Sequence, residues 1–167
     1  MIGTKVYWDT GIFISLLAGD IQDDAVMASI RQQMKNFIGK KLTICTSVIT
    51  IVEVLKSQVS SNSYDLFEQL IEKENFELVP TSIAIAQIAH DIRDYYSRVK
   101  DDVGVTVATP DAIHLATAVA QQCTTLYTFD AKDRPNKTRA LIPLSRKVIE
   151  KYYLPEIKKP SLSDFQA

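Results

Sequence analysis

Residues 110–130 have the sequence PDAIHLATAVAQQCTTLYTFD, which predicts a helix followed at once by a strand. Pro110 suits the first turn of a helix, and Asp111 is favoured beside the positive helix N-terminus. Apolar side chains then recur at helical spacing, and residues 125–129 form a short run rich in β-forming residues. This unit therefore carries one carboxylate at its helix start and another, Asp130, at its strand end.

The same alternation of strands and helices extends over the rest of the chain. Helical segments with apolar stripes separate the predicted strands. An alternation of this kind predicts an α/β fold with three layers, α/β/α, in which helices cover both faces of a mainly parallel central sheet. The strands are predicted near residues 5–9, 42–46, 76–80, 125–129 and 140–144.

The amino-acid composition is typical of a globular protein. The chain has 167 residues, of which 46% are hydrophobic and 23% charged. No apolar run reaches the roughly 18 residues of a membrane span, and the N-terminus does not resemble a signal peptide, so we expect a cytoplasmic protein without membrane contact. Cys45 and Cys123 lack the spacing of metal ligands and are expected to be buried, reduced thiols.

The charge is distributed unevenly along the chain. Residues 1–131 hold 10 basic and 16 acidic residues, whereas residues 132–159 hold 9 basic and 3 acidic ones. A basic end on an acidic body indicates either a polyanion partner or only a solvated basic surface. We expect one domain over residues 1–145, followed by a basic C-terminal extension over 146–167 that packs on the body or on a partner.

Two further acids stand out. Asp9 follows the first strand where a helix begins, so it is either a helix N-cap or a functional acid. Glu53 falls in a helix predicted to begin after a Ser47 cap and to be apolar nearly all round, which indicates burial. A lone buried carboxylate requires a cation or hydrogen-bond donors, although an ion pair with Lys56 is the alternative.

Strand ends and helix starts of a parallel sheet face the same crevice, where ligands bind. Four carboxylates there, with no histidine or cysteine cluster, are suited to Mg²⁺ or Mn²⁺ and unsuited to zinc. Such ions organise phosphoryl chemistry, because they lower the pKa of water and neutralise a leaving oxygen. Without a metal the carboxylates repel one another, so the pKa of one or more is expected to be raised. The four acids are Asp9, Glu53, Asp111 and Asp130.

At these acids the chain resembles the PIN-domain nucleases, in particular the VapC-type toxins of bacterial and archaeal toxin–antitoxin pairs. The resemblance runs in order from residue 5 to about 145. It implies a doubly wound α/β/α fold, a Mg²⁺- or Mn²⁺-dependent endoribonuclease that hydrolyses RNA phosphodiesters, and a homodimer held silent by a small antitoxin. The matching segments are VYWDT at 6–10, TSVITIVEV at 46–54, DAIHLATA at 111–118 and YTFD at 127–130.

The resemblance also assigns roles to individual residues. The four acids match the family's metal-binding and catalytic acids. Thr128 matches a hydroxyl position near the site, and Thr10 matches the small polar residue after the first acid. Basic residues from Lys132 onward, including Arg134, are expected to bind the RNA backbone, and their contribution should weaken as salt rises. Arg31 and Lys35, on another predicted helix, are further candidates for this contact.

Some positions have a simpler structural interpretation. His114 lies one turn after Asp111, so we interpret it as a helix residue paired with Asp111 rather than as a catalytic base. Asp133 is interpreted as a cap rather than a fifth ligand. Gly11 stands where many family members carry Asn or Ser, so any contact made by that side chain is missing here.

Two other classes of function stay open. The acids are typical of phosphoryl chemistry but do not specify the polymer, so a metal-dependent DNA nuclease or phosphatase is one alternative. A catalytically silent PIN-fold module that binds RNA or protein is another, although the presence of all four acids argues against it. A haloacid-dehalogenase-like phosphatase is disfavoured, because Gly11 stands where its second acid belongs.

Overall fold

The computed structural model describes residues 4–19, 23–55, 59–134 and 137–165. The described strands of the central sheet are all parallel to their neighbours. They are β1 (Thr4–Trp8), β2 (Leu42–Ser47), β3 (Phe76–Val79), β4 (Thr125–Tyr127) and β7 (Glu156–Lys158), and their order across the sheet is β3-β2-β1-β4-β7. A separate antiparallel hairpin joins β5 (Val148–Ile149) to β6 (Tyr152–Tyr153).

Helices cover both faces of this sheet, which confirms the predicted three-layer α/β/α architecture. They are α1 (Thr10–Ala18), α2 (Asp24–Ile38), α3 (Ile49–Glu53), α4 (Ser61–Ile71), α5 (Ile83–Arg98) and α6 (Thr109–Ala120). Helices α1, α2 and α4 enclose one apolar core with Val6 and Trp8 of β1. Helices α5 and α6 enclose the other core with Tyr7, whose side chain points to the opposite face because successive strand residues alternate.

A glycine ends the first helix, and an aspartate caps the start of the second. Gly19 ends α1 with a φ of 65°, the left-handed conformation that glycine adopts without strain. Asp23 caps α2, because its carboxylate accepts hydrogen bonds from the backbone N–H groups of Ala25 and Val26. These local interactions set where each helix begins and ends.

The strand predicted at residues 140–144 is wrong. Residues Ile142–Leu144 form a 3-10 turn instead. Pro143 has no N–H to donate to a strand ladder, and the N–H of Ile142 donates to the carbonyl of Asp130 at 3.0 Å. The backbone of this segment is therefore bonded to the loop after β4 and not to a neighbouring strand.

The fifth strand comes instead from the basic C-terminal extension predicted over residues 146–167. Strand β7 pairs in parallel with β4, with Thr125 opposite Glu156. Beyond it, the Asp164 carboxylate accepts a hydrogen bond from the Tyr127 hydroxyl at 3.0 Å and lies 2.6 Å from the ammonium of Lys158. The described part of the C-terminal segment thus packs on the body, while the proposed boundary at residue 145 stays a prediction.

The helix that carries Glu53 is shorter and more exposed than predicted. Its N-cap is Val48, without a side-chain cap bond, and Ser47 belongs to the preceding strand. Val52 is 74% exposed, and Thr50 is the residue of α3 that is buried. The β-branched run from Val48 to Val52 has low helix propensity, which is consistent with a helix that ends after about one turn.

The expectation for the two cysteines is met by the described residues. Cys45 and Cys123 are both buried and free of disulfides. Among the helices that the structure describes, none has the length and apolar composition needed to cross a membrane.

Candidate active site

Asp9 lies where β1 passes into α1, at the carboxyl edge of the sheet. One carboxylate oxygen, Oδ1, accepts the backbone N–H of Thr10 at 2.7 Å. The other, Oδ2, accepts the hydroxyl of Thr128 at 2.6 Å. Asp9 is therefore the N-cap of α1, and its second oxygen points toward the end of β4. The two sequence interpretations of Asp9 are compatible, because capping leaves the carboxylate at the crevice.

Asp130 follows β4 and is fixed by the backbone around it. Its Oδ2 accepts the N–H of Leu141 at 3.0 Å, and its own N–H donates to the Thr128 hydroxyl oxygen at 3.1 Å. Thr128 is fully buried and therefore connects Asp9 to Asp130 through one hydroxyl group. The predicted place of Thr128 beside the acids is thus what the structure shows.

Glu53 reaches the site from the last residue of α3. Its Oε2 accepts hydrogen bonds from the hydroxyl of Thr10 and from Nε2 of His114, the latter at 2.8 Å. The same His114 nitrogen lies 3.5 Å from Oδ1 of Asp9. Lys56, the alternative partner of Glu53, lies outside the described residues.

The predicted pairing of His114 with Asp111 is wrong. His114 is 1% exposed, and its ring points inward from α6 toward β1 and hydrogen-bonds Glu53. Asp111, three residues earlier, lies in the first turn of α6 and is only half-buried. The i,i+3 spacing allowed a contact, but the inward direction of the imidazole decides the partner.

Asp111 shows that the acids act on one another. Burial, together with the negative charges of Asp9 and Asp130, raises the pKa of the Asp111 carboxyl to about 6. Burial also raises the pKa of Asp130, against the opposing hydrogen bond from Leu141 and the positive charge of Arg134. The negative charges of Asp9 and Asp130 therefore reach the Asp111 carboxyl and add to the effect of its burial.

The pKa of Glu53 is shifted in the opposite direction to that of Asp111. Burial by itself would raise the pKa of Glu53, but the hydrogen bonds from His114 and Thr10 outweigh burial, and the net pKa is lowered. Burial would likewise lower the pKa of His114, yet the bond to Glu53 and the charge of Asp9 raise it. Glu53 is thus held in its ionised form by partners within the chain.

The donor set fits a hard divalent cation by type. All four acids offer carboxylate oxygens, which Mg²⁺ and Mn²⁺ prefer. Within the described ranges, no group of three or more histidine, cysteine or carboxylate side chains is arranged so that it holds a metal ion without movement. In the present arrangement the carboxylates of Asp9 and Glu53 accept hydrogen bonds from groups of the chain.

The basic residues differ in how near they lie to these acids. Lys132 and Arg134 are exposed on the loop after Asp130, and the charge of Arg134 is felt by the Asp130 carboxyl. Arg31 and Lys35 are exposed on α2, and the structure shows no contact between them and the acids. Asp133 accepts the N–H of Ala140 at 2.8 Å, so it ties the loop together, in agreement with the structural role favoured for it.

Sequence reasoning missed a residue behind His114. The hydroxyl of Tyr7 lies 2.7 Å from Nδ1 of His114, and it accepts the backbone N–H of Ser47 at 2.9 Å. A tyrosine inside a buried strand signals that its hydroxyl needs a partner. The sequence does not tell which partner, because Tyr7 and His114 are 107 positions apart.

Comparison with known proteins supports the resemblance found in the sequence. The profile of the PIN domain family matches residues 6–135, a range that includes Asp9, Glu53, Asp111 and Asp130. The chain belongs to the PIN domain family. No curated protein sequence matches it significantly.

Several solved structures share the fold of this PIN domain. VapBC2 from Rickettsia felis, bound to a fragment of promoter DNA, has a TM-score of 0.56 at 16% identity over 75% of this chain and 87% of that chain. DNA-bound VapBC from Salmonella typhimurium has a TM-score of 0.56 at 18% identity over 81% and 96%. VapC20 of Mycobacterium tuberculosis, a toxin that cleaves the sarcin–ricin loop, has a TM-score of 0.55 at 12% identity over 81% and 98%. At such identities these likenesses show the fold.

Proposed function

We propose that this PIN domain is a Mg²⁺- or Mn²⁺-dependent endoribonuclease whose metal is held by Asp9, Glu53, Asp111 and Asp130. The observation that carries the proposal is the state of Asp111, whose pKa rises to about 6 because it is buried and faces Asp9 and Asp130. A divalent cation between these carboxylates would remove their repulsion. The membership in the PIN domain family over residues 6–135 supports the same proposal.

The chain's own groups prepare the site for this chemistry. A divalent ion held there would supply an acidified water and would neutralise the charge that develops on the leaving oxygen. Asp9 is fixed through both oxygens by Thr10 and Thr128, and Asp130 is fixed by the N–H of Leu141. Carboxylates held in this way would lose little freedom on binding a cation at this edge of the sheet.

We further propose that the chain is the toxin of a toxin–antitoxin pair. The VapBC complexes from Rickettsia felis and Salmonella typhimurium share its fold, and VapC20 is described as a toxin that cleaves the sarcin–ricin loop. In this proposal the substrate is RNA, the partner is a small antitoxin that keeps the nuclease silent, and the active form is a homodimer. Lys132 and Arg134, exposed beside Asp130, bind the RNA backbone.

The test is cleavage of structured RNAs, tRNA and ribosomal stem-loops included, by protein freed of any co-purified partner, in Mn²⁺ and in EDTA. Asp9→Asn and Asp111→Asn remove one negative charge each while keeping side-chain size. Asp65→Asn, an exposed acid on α4, is the matched control. We expect cleavage by wild type and Asp65→Asn, and a loss of about a thousandfold or more in both site variants and in EDTA.

Parallel reactions with single-stranded DNA, duplex DNA and a small phosphomonoester separate the alternatives. Cleavage of DNA or of the phosphomonoester in preference to RNA would identify a different phosphoryl-transfer enzyme. RNA cleavage that survives Asp9→Asn and Asp111→Asn would show that these acids are not the site. Binding of RNA without cleavage under any metal condition would identify a silent PIN-fold module.

A further inference from the structure

His114 is buried between the sheet and α3, and both of its ring nitrogens are hydrogen-bonded. Nδ1 lies 2.7 Å from the hydroxyl of Tyr7, and Nε2 lies 2.8 Å from Oε2 of Glu53. The ring is 1% exposed and meets the Tyr7 ring edge-on at a centroid distance of 5.8 Å. These contacts leave the imidazole little freedom to rotate.

The hydrogen-bond pattern gives the direction of donation along this chain of groups. The N–H of Ser47 donates to the Tyr7 oxygen at 2.9 Å, and the Tyr7 hydroxyl donates to Nδ1 of His114 when the imidazole is neutral. Nε2 then carries the proton that the Glu53 carboxylate accepts. The backbone at the end of β2 is thus connected through two side chains to the acid at the end of α3.

Helix α3 by itself holds Glu53 poorly. It has five residues, from Ile49 to Glu53, and an isolated helix of that length is unstable in water. Its Ile51 and Val52 are 38% and 74% exposed, so within the helix itself little apolar surface is buried, although Val54 directly after it lies in the core. The direction of the Glu53 carboxylate therefore depends on the hydrogen bonds that it accepts from Thr10 and His114.

We propose that His114 is a positioning residue that holds the Glu53 carboxylate, and with it the end of α3, in place at the metal site, and that Tyr7 orients the imidazole for this task. The inference rests on the proposed function, because it gives Glu53 its purpose. His114 makes no contact with substrate in this proposal. It joins the five-residue helix α3 to helix α6, whose inner face is buried in the core.

Four variants separate positioning from general stability. His114→Leu removes both hydrogen bonds but keeps an apolar side chain of similar size. His114→Gln restores a donor near the place of Nε2, and Tyr7→Phe removes only the hydroxyl. Thr117→Val is the matched control, since Thr117 is fully buried one turn further along α6 and its hydroxyl donates to the carbonyl of Ile113 at 2.7 Å.

The first measurement needs neither metal nor RNA. Hydrogen exchange in EDTA at the Val54 amide, which donates to the carbonyl of Thr50 at 2.9 Å, reports the opening of α3. We expect exchange about tenfold faster or more in His114→Leu, a smaller increase in Tyr7→Phe, and near wild-type exchange in His114→Gln and Thr117→Val. Unchanged exchange in His114→Leu would overturn the inference.

The second measurement is Mn²⁺ binding by calorimetry, again without RNA. Residues that orient metal ligands typically affect metal affinity by about 10–100-fold, so we expect weakening of that size in His114→Leu and recovery in His114→Gln. In a Glu53→Gln background, His114→Leu should weaken Mn²⁺ binding no further. Additional weakening there would show that His114 acts by a route other than Glu53, which contradicts the proposal.

The two measurements distinguish failure of the inference from failure of the proposed function. If wild type binds no Mn²⁺ and cuts no RNA while exchange at α3 still depends on His114, the metal nuclease is refuted and the positioning contact stands. If wild type binds Mn²⁺ and cuts RNA while His114→Leu matches Thr117→Val in both measurements, the nuclease stands and the positioning role is refuted.

Discussion

The two sides of the candidate site are held by different means. On the strand side, Asp9 and Asp130 accept backbone N–H groups from Thr10 and Leu141, and one hydroxyl, that of Thr128, joins them. On the helix side, Glu53 depends on side chains from distant parts of the chain. The strand side is therefore rigid because of the backbone beside it, whereas the helix side is rigid only if tertiary packing holds it.

This difference matters for the charges as well. Hydrogen bonds stabilise Glu53 as an anion and lower its pKa, whereas burial and neighbouring acids raise the pKa of Asp111. Asp111, at the start of α6, also belongs to the helix side. The pKa values of its two acids are therefore shifted in opposite directions within one site. A bound cation would stabilise the ionised form of Asp111 most, because burial and the neighbouring acids disfavour that form.

Among variants that keep all four acids, the largest expected effect comes from breaking the strand side at Thr128. Thr128→Val keeps the shape but removes the donor to Asp9 and the acceptor for the N–H of Asp130. We expect RNA cleavage to fall about 10–100-fold and the free energy of unfolding to fall by about 1–3 kcal/mol. Rates of RNA cleavage in Mn²⁺ and urea unfolding measure the two effects.

Thr125→Val is the matched control for this variant, because Thr125 is buried near the other end of the same strand, away from the acids. It should cleave RNA at nearly the wild-type rate. Equal activity in Thr128→Val and wild type would show that the strand side keeps its geometry without the hydroxyl bridge.

A smaller effect is expected from relieving the helix side at Asp111. An acid whose pKa is raised on folding binds its proton more tightly in the folded state, so its contribution to stability is present at low pH and is lost as pH rises from about 4 to about 6. Asp111→Asn removes that loss. In EDTA at pH 7 we expect the variant to be more stable than wild type by about 1 kcal/mol, a value discounted because Asp111 is partly exposed.

Urea unfolding of both proteins at pH 4 and pH 7 tests this prediction. At pH 4 the two should be nearly equally stable, because Asp111 is then protonated in the folded protein. A variant that is less stable than wild type at pH 7 would show that Asp111 makes a favourable contact in its ionised form and is not repelled by Asp9 and Asp130.

The strand side of the site was largely predictable from sequence, and the helix side was not. Asp9 and Asp130 follow strongly β-forming runs, so their place at the sheet edge follows from local pattern. The partner of His114 depends on which side of α6 packs against the sheet, and helix periodicity alone does not specify that side. The role of Glu53 in the site stays a prediction, and the burial predicted for its helix was wrong, since an apolar sequence does not tell what covers it.

The sheet shows the same limit at its edge. The run at 140–144 is apolar and resembles a strand, yet it contains Pro143 and forms a 3-10 turn. The N–H of Leu141 in this run donates to the Asp130 carboxylate and so helps to fix that acid. The true edge strand, Glu156–Lys158, is short and charged and was not recognised. Pairing with β4 gives it strand structure that its own residues do not favour.

The smallest expected effect concerns the basic loop beside the strand side. Lys132 and Arg134 are exposed after Asp130, where their charges can meet a polyanion. If each meets one phosphate, Lys132→Ala and Arg134→Ala should each reduce the slope of log affinity for single-stranded RNA against log salt by about 0.7, measured in EDTA to prevent cleavage. Lys73→Ala, an exposed lysine just beyond α4, should leave the slope unchanged. A slope unaffected by both loop variants would exclude Lys132 and Arg134 from contact with the RNA backbone.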